Sequence, residues 1–337
     1  MSLANIIRTP LGFGTGPLGN LFRKISEEDA QDTLQAAWDT GIRYYDSAPL
    51  YGAGLSEIRL GEALSGRPRD SFVLSTKVGR VVLDEEEPAA HRRTGPYEHG
   101  RPNKIVDDWS ADATKRSLED SLRRLRVDRI DIVWVHDIAQ DAYGDLWLQK
   151  LEEARTGAFR VLDGLRDEGV IGAWGIGVNR TEPIEIALTL EEPRPDGFLL
   201  GGCYTLLDHA HALQRLLPMA QEQGVQMVVG APYNSGILAG GTHFQYREAP
   251  PRVLERVQLI GEAAAEYGVT TKALALQFVL AHPLAVAVIP GASRPDRVAE
   301  DAAALHERVP AALWDRLRES GLISPSAPLP GDGGRPG

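Results

Sequence analysis

Short apolar runs alternate with amphipathic stretches along almost the whole chain. Leu11-Gly12-Phe13-Gly14 reads as a first strand. After Ser26, Ala30, Leu34, Ala37 and Trp38 fall at helical spacing. Ser26 with Asp29 forms a capping-box pattern at its start, and Gly41 suits its end. A strand then runs into Asp46, and a helix carries Ile58, Leu60 and Leu64. The next strand, Phe72 to Thr76, runs into Lys77. A helix from Ser110 shows Leu118, Leu122 and Leu125 on one face, and the strand Ile130 to Val135 runs into His136. The second half continues with a helix over Leu151 to Asp167, a strand over Ile171 to Val178 ending at Asn179, and a strand over Phe198 to Tyr204. A helix with Leu213, Leu216 and Leu217 precedes a strand over Val225 to Val229. Val257, Ile260, Ala264 and Tyr267 mark another helix, Thr271 to Ala281 a further one, Val286 to Ile289 the last strand, and Pro295 the start of the last helix.

Regular alternation of strand and helix argues for a parallel sheet with helices outside it, and this many pairs in one chain predict an α/β fold, a closed (β/α)8 TIM barrel. The pattern predicts one barrel domain over residues 1–323. Residues 79–108 interrupt it with acidic, Pro, Gly and Arg residues and read as a long loop after the third strand. A loop of that length suits a substrate lid, with His91, Arg92, Arg93 and Tyr97 available for polar contacts, or a solvated insertion. As a lid, deletion of residues 85–100 should raise KM for the substrate and leave cofactor affinity intact. Residues 324–337 read as a Pro/Gly-rich disordered tail.

Function in this fold sits on the loops that follow the strands. Asp46, Lys77 and His136 each end an apolar run, and Tyr51 lies one short loop beyond Asp46. An acid, a phenol, an ammonium and an imidazole on one rim suggest a proton-transfer site. Read singly, each has a bland account: a buried ion pair, a packed loop aromatic, a satisfied rim histidine. The net charge of −11 argues against nucleic acid or anionic membrane as the partner. Apolar runs fall short of a membrane span, and the N-terminus lacks a signal pattern. One cysteine, Cys203, permits no intrachain disulfide, and a reduced, cytoplasmic setting is the simplest expectation. No metal site is expected. Gly14-Thr15-Gly16-Pro17-Leu18-Gly19 matches a dinucleotide fingerprint, but no helix opens within it. These glycines are expected to let a loop pass close to a ligand or a neighbouring strand.

Gly41-Ile42-Arg43-Tyr44-Tyr45-Asp46-Ser47-Ala48, followed by Tyr51-Gly52, Ser56-Glu57 and Leu60-Gly61, resembles the aldo-keto reductase signature. Ser75-Thr76-Lys77 and Trp134-Val135-His136-Asp137 complete a match to the catalytic tetrad of that family, and the resemblance covers about residues 10–305. It implies a barrel that binds NAD or NADP without a Rossmann domain. Tyr204 to Asp208 and Pro232 to Leu238 look most like the aldose dehydrogenase branch, with which a pyridoxal dehydrogenase groups. The implied reaction moves a hydride between the nicotinamide and a sugar lactol or aldehyde carbon, most simply aldose to aldonolactone. Alternatives are an aldehyde or ketone reductase, a pyridoxal dehydrogenase, and a nucleotide-binding barrel that senses redox state without turnover.

In that chemistry Tyr51 is the acid/base, Lys77 favours its phenolate, Asp46 holds the ammonium, and His136 orients the substrate oxygen. The resemblance also implies cofactor contacts from Asn179, from Ser235, Gly236 and Leu238 over the pyrophosphate, and from Gly291, Ser293, Arg297, Glu300 and Asp301 at the adenosine end. Ser293 with Asp296 also fits a capping box. The chain departs from the family at Gly201, where a carboxamide-binding glutamine is common, and at Gly230, where a tyrosine often stacks on the nicotinamide. Tyr204 or Tyr233 is the candidate replacement. Trp109, Trp134 and Trp147 are candidates for pocket walls.

Overall fold

The structure is a computed structural model that describes residues 2–88 and 95–332. Its strands are β1 (Phe13–Gly14), β2 (Tyr44–Asp46), β3 (Val73–Val78), β4 (Arg80–Glu86), β5 (Asn103–Asp107), β6 (Ile132–His136), β7 (Ala173–Val178), β8 (Gly197–Gly201), β9 (Gln226–Gly230), β10 (His243–Phe244), β11 (Arg247–Glu248) and β12 (Ala285–Ile289). Eight of them pair in the order β1-β2-β3-β6-β7-β8-β9-β12, each pair parallel. Leu11 bridges in parallel to Val288, and the Val288 amide donates to the Pro10 carbonyl at 2.8 Å, which closes the sheet into a barrel. The (β/α)8 expectation is met.

Strand alternation sorts the apolar side chains into two cores. Val133 and Val135 of β6 join the large outer core between barrel and helices, whereas Ile132 and Trp134 point to the inner one. Trp134 fills the middle of the barrel; a Cβ on Gly177 would fall 3.1 Å from its Cβ. Trp134 is therefore barrel filling, not a pocket wall. Leu3 and Ile7 of the N-terminal segment cap the lower end of the inner core. Gln226 fixes that segment, its side-chain oxygen accepting from Ser2 Oγ at 2.6 Å and the Ala4 amide at 2.9 Å. Among the described residues no helix is long and apolar enough to cross a membrane.

The helix Glu27–Asp39 starts as the sequence indicates, with Ser26 Oγ accepting from the Asp29 amide. Elsewhere the expectations need correction. Where a loop was expected after β3, β4 and β5 pair as an antiparallel hairpin. His91, Arg92 and Arg93 lie outside the described residues. The single helix expected over Leu151 to Asp167 is two, Trp147–Thr156 and Ala158–Asp167. They meet at Gly157, where a Cβ would fall 2.1 Å from the Trp109 carbonyl oxygen, so backbone contact bends the path. The helix expected from Pro295, Pro295–His306, starts after Arg294 with no side-chain cap, and a further helix, Ala311–Glu319, follows it. Ser293 instead accepts from the Arg23 guanidinium at 2.9 Å, so the capping box does not form. Residues 324–332 pack on the barrel rather than trailing as a disordered tail. Ala327 and Leu329 are buried, and the Ser324 amide donates to His209 Nε2 at 3.0 Å. Two apolar anchors and a backbone hydrogen bond outweigh the Pro/Gly composition there.

Candidate active site

Asp46 ends β2, Lys77 lies near the end of β3 and His136 ends β6, so parallel neighbouring strands deliver them to one rim. Lys77 Nζ sits 2.5 Å from Asp46 Oδ2 and donates to the Ser47 carbonyl at 2.7 Å. Both side chains are almost fully buried. Ser75 Oγ donates to the other Asp46 oxygen at 2.7 Å. A buried ion pair of this kind persists only when its remaining lone pairs and protons are also satisfied, as they are here. Tyr51 stands on the turn after β2, where Gly52, Ala53 and Gly54 all have positive φ. Left-handed geometry at Ala53 carries a strain cost, and such sites cluster where geometry serves chemistry. Lys77 Nζ lies 4.8 Å from the centre of the Tyr51 ring, and the His136 ring meets it edge-on at 5.9 Å. The four sequence candidates therefore converge.

Protonation states follow from the surroundings. Burial and the Asp46 carboxylate push the Tyr51 phenol well above its usual range. Burial is the largest influence on the phenol, and Asp46 with the Ser47 carbonyl holds the Lys77 ammonium expected to favour the phenolate. Burial, with Lys77 and Arg80 nearby, drives His136 well below the usual imidazole value, so the ring is neutral. Its Nε2 lies 3.5 Å from Asp137 Oδ2, and its buried Nδ1 has no partner. Burial raises Asp137 to about 6, against the pull of Arg80. The site thus pairs a protonated phenol with a neutral imidazole, a set able to donate a proton to a carbonyl oxygen and to orient it.

A cavity of about 1000 Å³ is lined by Asp137 and Tyr246, two groups that act on Tyr51, and not by the four residues themselves. Asp137, Asn179, Arg180, Gly201 and Ser235 are among its lining residues. Asp137 is the functional candidate that the sequence reading passed over. Its signal was present: an acid directly after His136 at the end of an apolar run. Its φ of 48° confirms an unusual backbone for an aspartate.

The cofactor candidates divide. Asn179 and Ser235 line the cavity. A Cβ on Gly201 would fall 2.3 Å from Asn179 Oδ1, so the bare glycine makes room for that amide. Asn234, Ser235 and Gly236 follow one another with positive φ. Thr205 Oγ1 donates to Asn234 Oδ1 at 2.5 Å, and Asn234 Nδ2 to the Gly202 carbonyl at 2.9 Å, which pins the turn. Gly236 has open space where a Cβ would stand. An amide edge, a bare strand end and a fixed turn with free backbone fit a nicotinamide dinucleotide: Asn179 would hold the carboxamide, and Ser235 with Gly236 the phosphates. Most of the remaining candidates make structural contacts. Tyr204 is fully buried, stacked on Phe278 at 5.5 Å and edge-on to His282. The Tyr233 hydroxyl donates to Asp301 at 2.8 Å, and Lys272 pairs with both Asp301 and Glu300. Neither tyrosine is free to stack on a nicotinamide. Leu238 is buried, and a Cβ on Gly291 would fall 2.8 Å from Pro17 Cδ. Gly291, Ser293 and Arg297 lie outside the cavity lining. Trp109 packs edge-on against Tyr143 and is buried. Among the described residues no three His, Cys, Asp or Glu side chains gather as metal ligands. Cys203 donates to the Asn179 carbonyl, and burial raises its thiol to about 12, which leaves it unreactive.

With the barrel and the rim in view, comparison with known proteins identifies the class. Residues 10–321 match the aldo/keto reductase family, and the chain belongs to it. It is an NAD(P)-dependent oxidoreductase. It is 37% identical to pyridoxal 4-dehydrogenase of Microbacterium luteolum, over 94% of this chain and 95% of that one. It is 35% identical to D-threo-aldose 1-dehydrogenase of a Pseudomonas species, over 93% and 94% of the two chains. The holo form of an aldo-keto reductase from Bacillus halodurans superposes with a TM-score of 0.70 at 28% identity, covering 94% of this chain and 92% of that one.

Proposed function

We propose that this enzyme oxidises a cyclic hemiacetal, an aldose in its lactol form, to the lactone. The observation that carries the reading is the convergence of Tyr51, Lys77, Asp46 and His136 on one rim, with a polar cavity lined by their neighbours Asp137 and Tyr246. A bound nicotinamide supplies the hydride acceptor. The protein's part is to take the lactol hydroxyl proton at Tyr51 Oη in its phenolate form, whose charge Lys77 steadies until the proton arrives, with His136 orienting the oxygen. Asp137 and Arg180 on the cavity wall suit the remaining sugar hydroxyls.

A second substrate is supported by the 37% identity to a pyridoxal 4-dehydrogenase. Pyridoxal also closes to a cyclic hemiacetal, so one proton-and-hydride chemistry serves both. The raised Tyr51 pKa favours a direction as well. Near neutral pH the protonated phenol is ready to donate, which suits carbonyl reduction; lactol oxidation should gain as the medium becomes alkaline. The test is NAD+ and NADP+ reduction at 340 nm across free aldoses and pyridoxal at mildly alkaline pH, with NADH and NADPH oxidation by simple aldehydes alongside. Lactol-dependent reduction of the cofactor supports the reading. Fast aldehyde reduction with no lactol oxidation would replace it with a carbonyl reductase. Cofactor binding with no turnover of either kind would point to the sensing barrel.

A further inference from the structure

Tyr97 stacks face to face on Tyr51, with ring centroids 5.5 Å apart and planes 26° from parallel. It comes from the connection between β4 and β5, which is no part of the barrel repeat. That connection is fastened on two sides. The Pro96 carbonyl accepts from the Phe22 amide and the His99 carbonyl from Asn20 Nδ2, each at 2.8 Å. The Arg101 amide donates to the Gly52 carbonyl at 3.0 Å, and its guanidinium to the Ala53 carbonyl at 3.1 Å. Three backbones are pressed together without side chains between them. A Cβ on Gly19 would fall 2.6 Å from the Tyr51 carbonyl carbon, and one on Gly100 would fall 2.5 Å from Gly52 Cα. Residues 95–101 are thus seated directly on the turn that presents the phenol, and Tyr97 is buried there.

We infer that Tyr97 is a positioning residue: its ring fixes the Tyr51 phenol between Lys77 and His136 and keeps water from that face. The inference rests on reading Tyr51 as the acid/base. A phenol on a turn of left-handed residues has little of its own to hold it upright, and the opposite ring supplies the missing wall. Aromatic pairs favour an offset stack of this kind over a bare contact. Proton transfer depends steeply on placement, so loss of the wall should fall on the chemical step. The hairpin is then more than the lid expected from the sequence, and its removal should lower kcat as well as raise KM.

The groups facing Tyr51 are Asp46 from β2, Lys77 from β3, His136 and Asp137 from the end of β6, Tyr97, and Tyr246 from the turn between β10 and β11. Burial is the largest cause of its raised pKa. Opening one face to water relaxes that cause, so the limb of the pH profile governed by Tyr51 should move to lower pH.

The experiment compares Y97A and Y97F with the wild type, with Y51F as a reference, in whichever direction the wild type turns over. Cofactor affinity is read separately by fluorescence titration. Y97A should lose about 10- to 100-fold in kcat, shift the Tyr51 limb downward, and keep its cofactor affinity. Y97F keeps the stack and should recover most of the loss. Equal kcat in Y97A and wild type, or equal losses in Y97A and Y97F, overturns the inference. If Y97A does not fold, Y97L against Y97F carries the same contrast: leucine should lose kcat, and equality refutes the role. Full activity in Y51F would instead overturn the acid/base reading itself, whatever Tyr97 does.

Discussion

The two halves of the barrel rim are built by opposite means. On β2, β3 and β6 the rim is made of side chains: Asp46 and Lys77, buried and paired, and His136, buried near them. On β7, β8 and β9 it is made by leaving side chains out. Gly201 stands directly beside Gly230, and Gly177 of β7 lies lower, paired with Leu199. The first half supplies proton chemistry and pays for it with buried charge. The second supplies room, which Trp134 fills below and the Asn179 amide uses above. A site for a large planar cofactor and a small substrate needs both, and a substitution should hurt differently on each side.

Lys77→Met gives the largest stability effect. It strands the buried Asp46 carboxylate, whose loss of a partner should cost about 3–5 kcal/mol. Urea denaturation of the purified variant reads that figure. A drop under ~1 kcal/mol would mean that the pair adds little, as surface pairs do.

Asp137 gives the next effect, through pH. Its value in the folded chain, about 6, lies above the ordinary 3.8. The folded state therefore holds that proton more tightly than the unfolded chain does. The stability it contributes is present at acid pH and is lost as pH rises through about 6. D137N removes the ionisation, so it should gain on the wild type by about 1–3 kcal/mol between roughly pH 4 and pH 7. Parallel stability–pH curves for the two proteins would contradict the raised value.

Gly201→Ala probes the empty half and should do least. Its methyl would displace the Asn179 amide, which is a side-chain end and can swing aside. Stability should hardly change, while cofactor affinity falls about two- to tenfold, the worth of one neutral hydrogen bond. Unchanged affinity by fluorescence titration would remove Asn179 from the cofactor site.

The same contrast explains what the sequence made legible. Polar residues at the ends of apolar runs announce themselves, so the barrel and Asp46, Tyr51, Lys77 and His136 were readable before any coordinates. Absent side chains announce nothing. Gly201 and Gly230 registered only as departures from a pattern, and the tyrosines offered in their place, Tyr204 and Tyr233, point into packing contacts. Long-range partners were equally hidden. Nothing local ties Asp301 to Lys272 and Tyr233, Ser293 to Arg23, or Tyr97 to Tyr51. The packed tail at Ala327 and Leu329 was masked by its Pro and Gly content. Protonation failed for a related reason. The sequence places an ammonium near a phenol, but only the structure shows how far burial, with Asp46, raises that phenol.

The central claim is that Tyr51 exchanges the substrate proton while the rest of the site holds cofactor and substrate in place. Tyr51→Phe, assayed at 340 nm beside the wild type with its best lactol or aldehyde substrate, tests it most directly. The account predicts a loss of about 10²–10⁴-fold in kcat, with cofactor binding and melting temperature close to those of the wild type. A phenylalanine variant that turns over at the wild-type rate would contradict it.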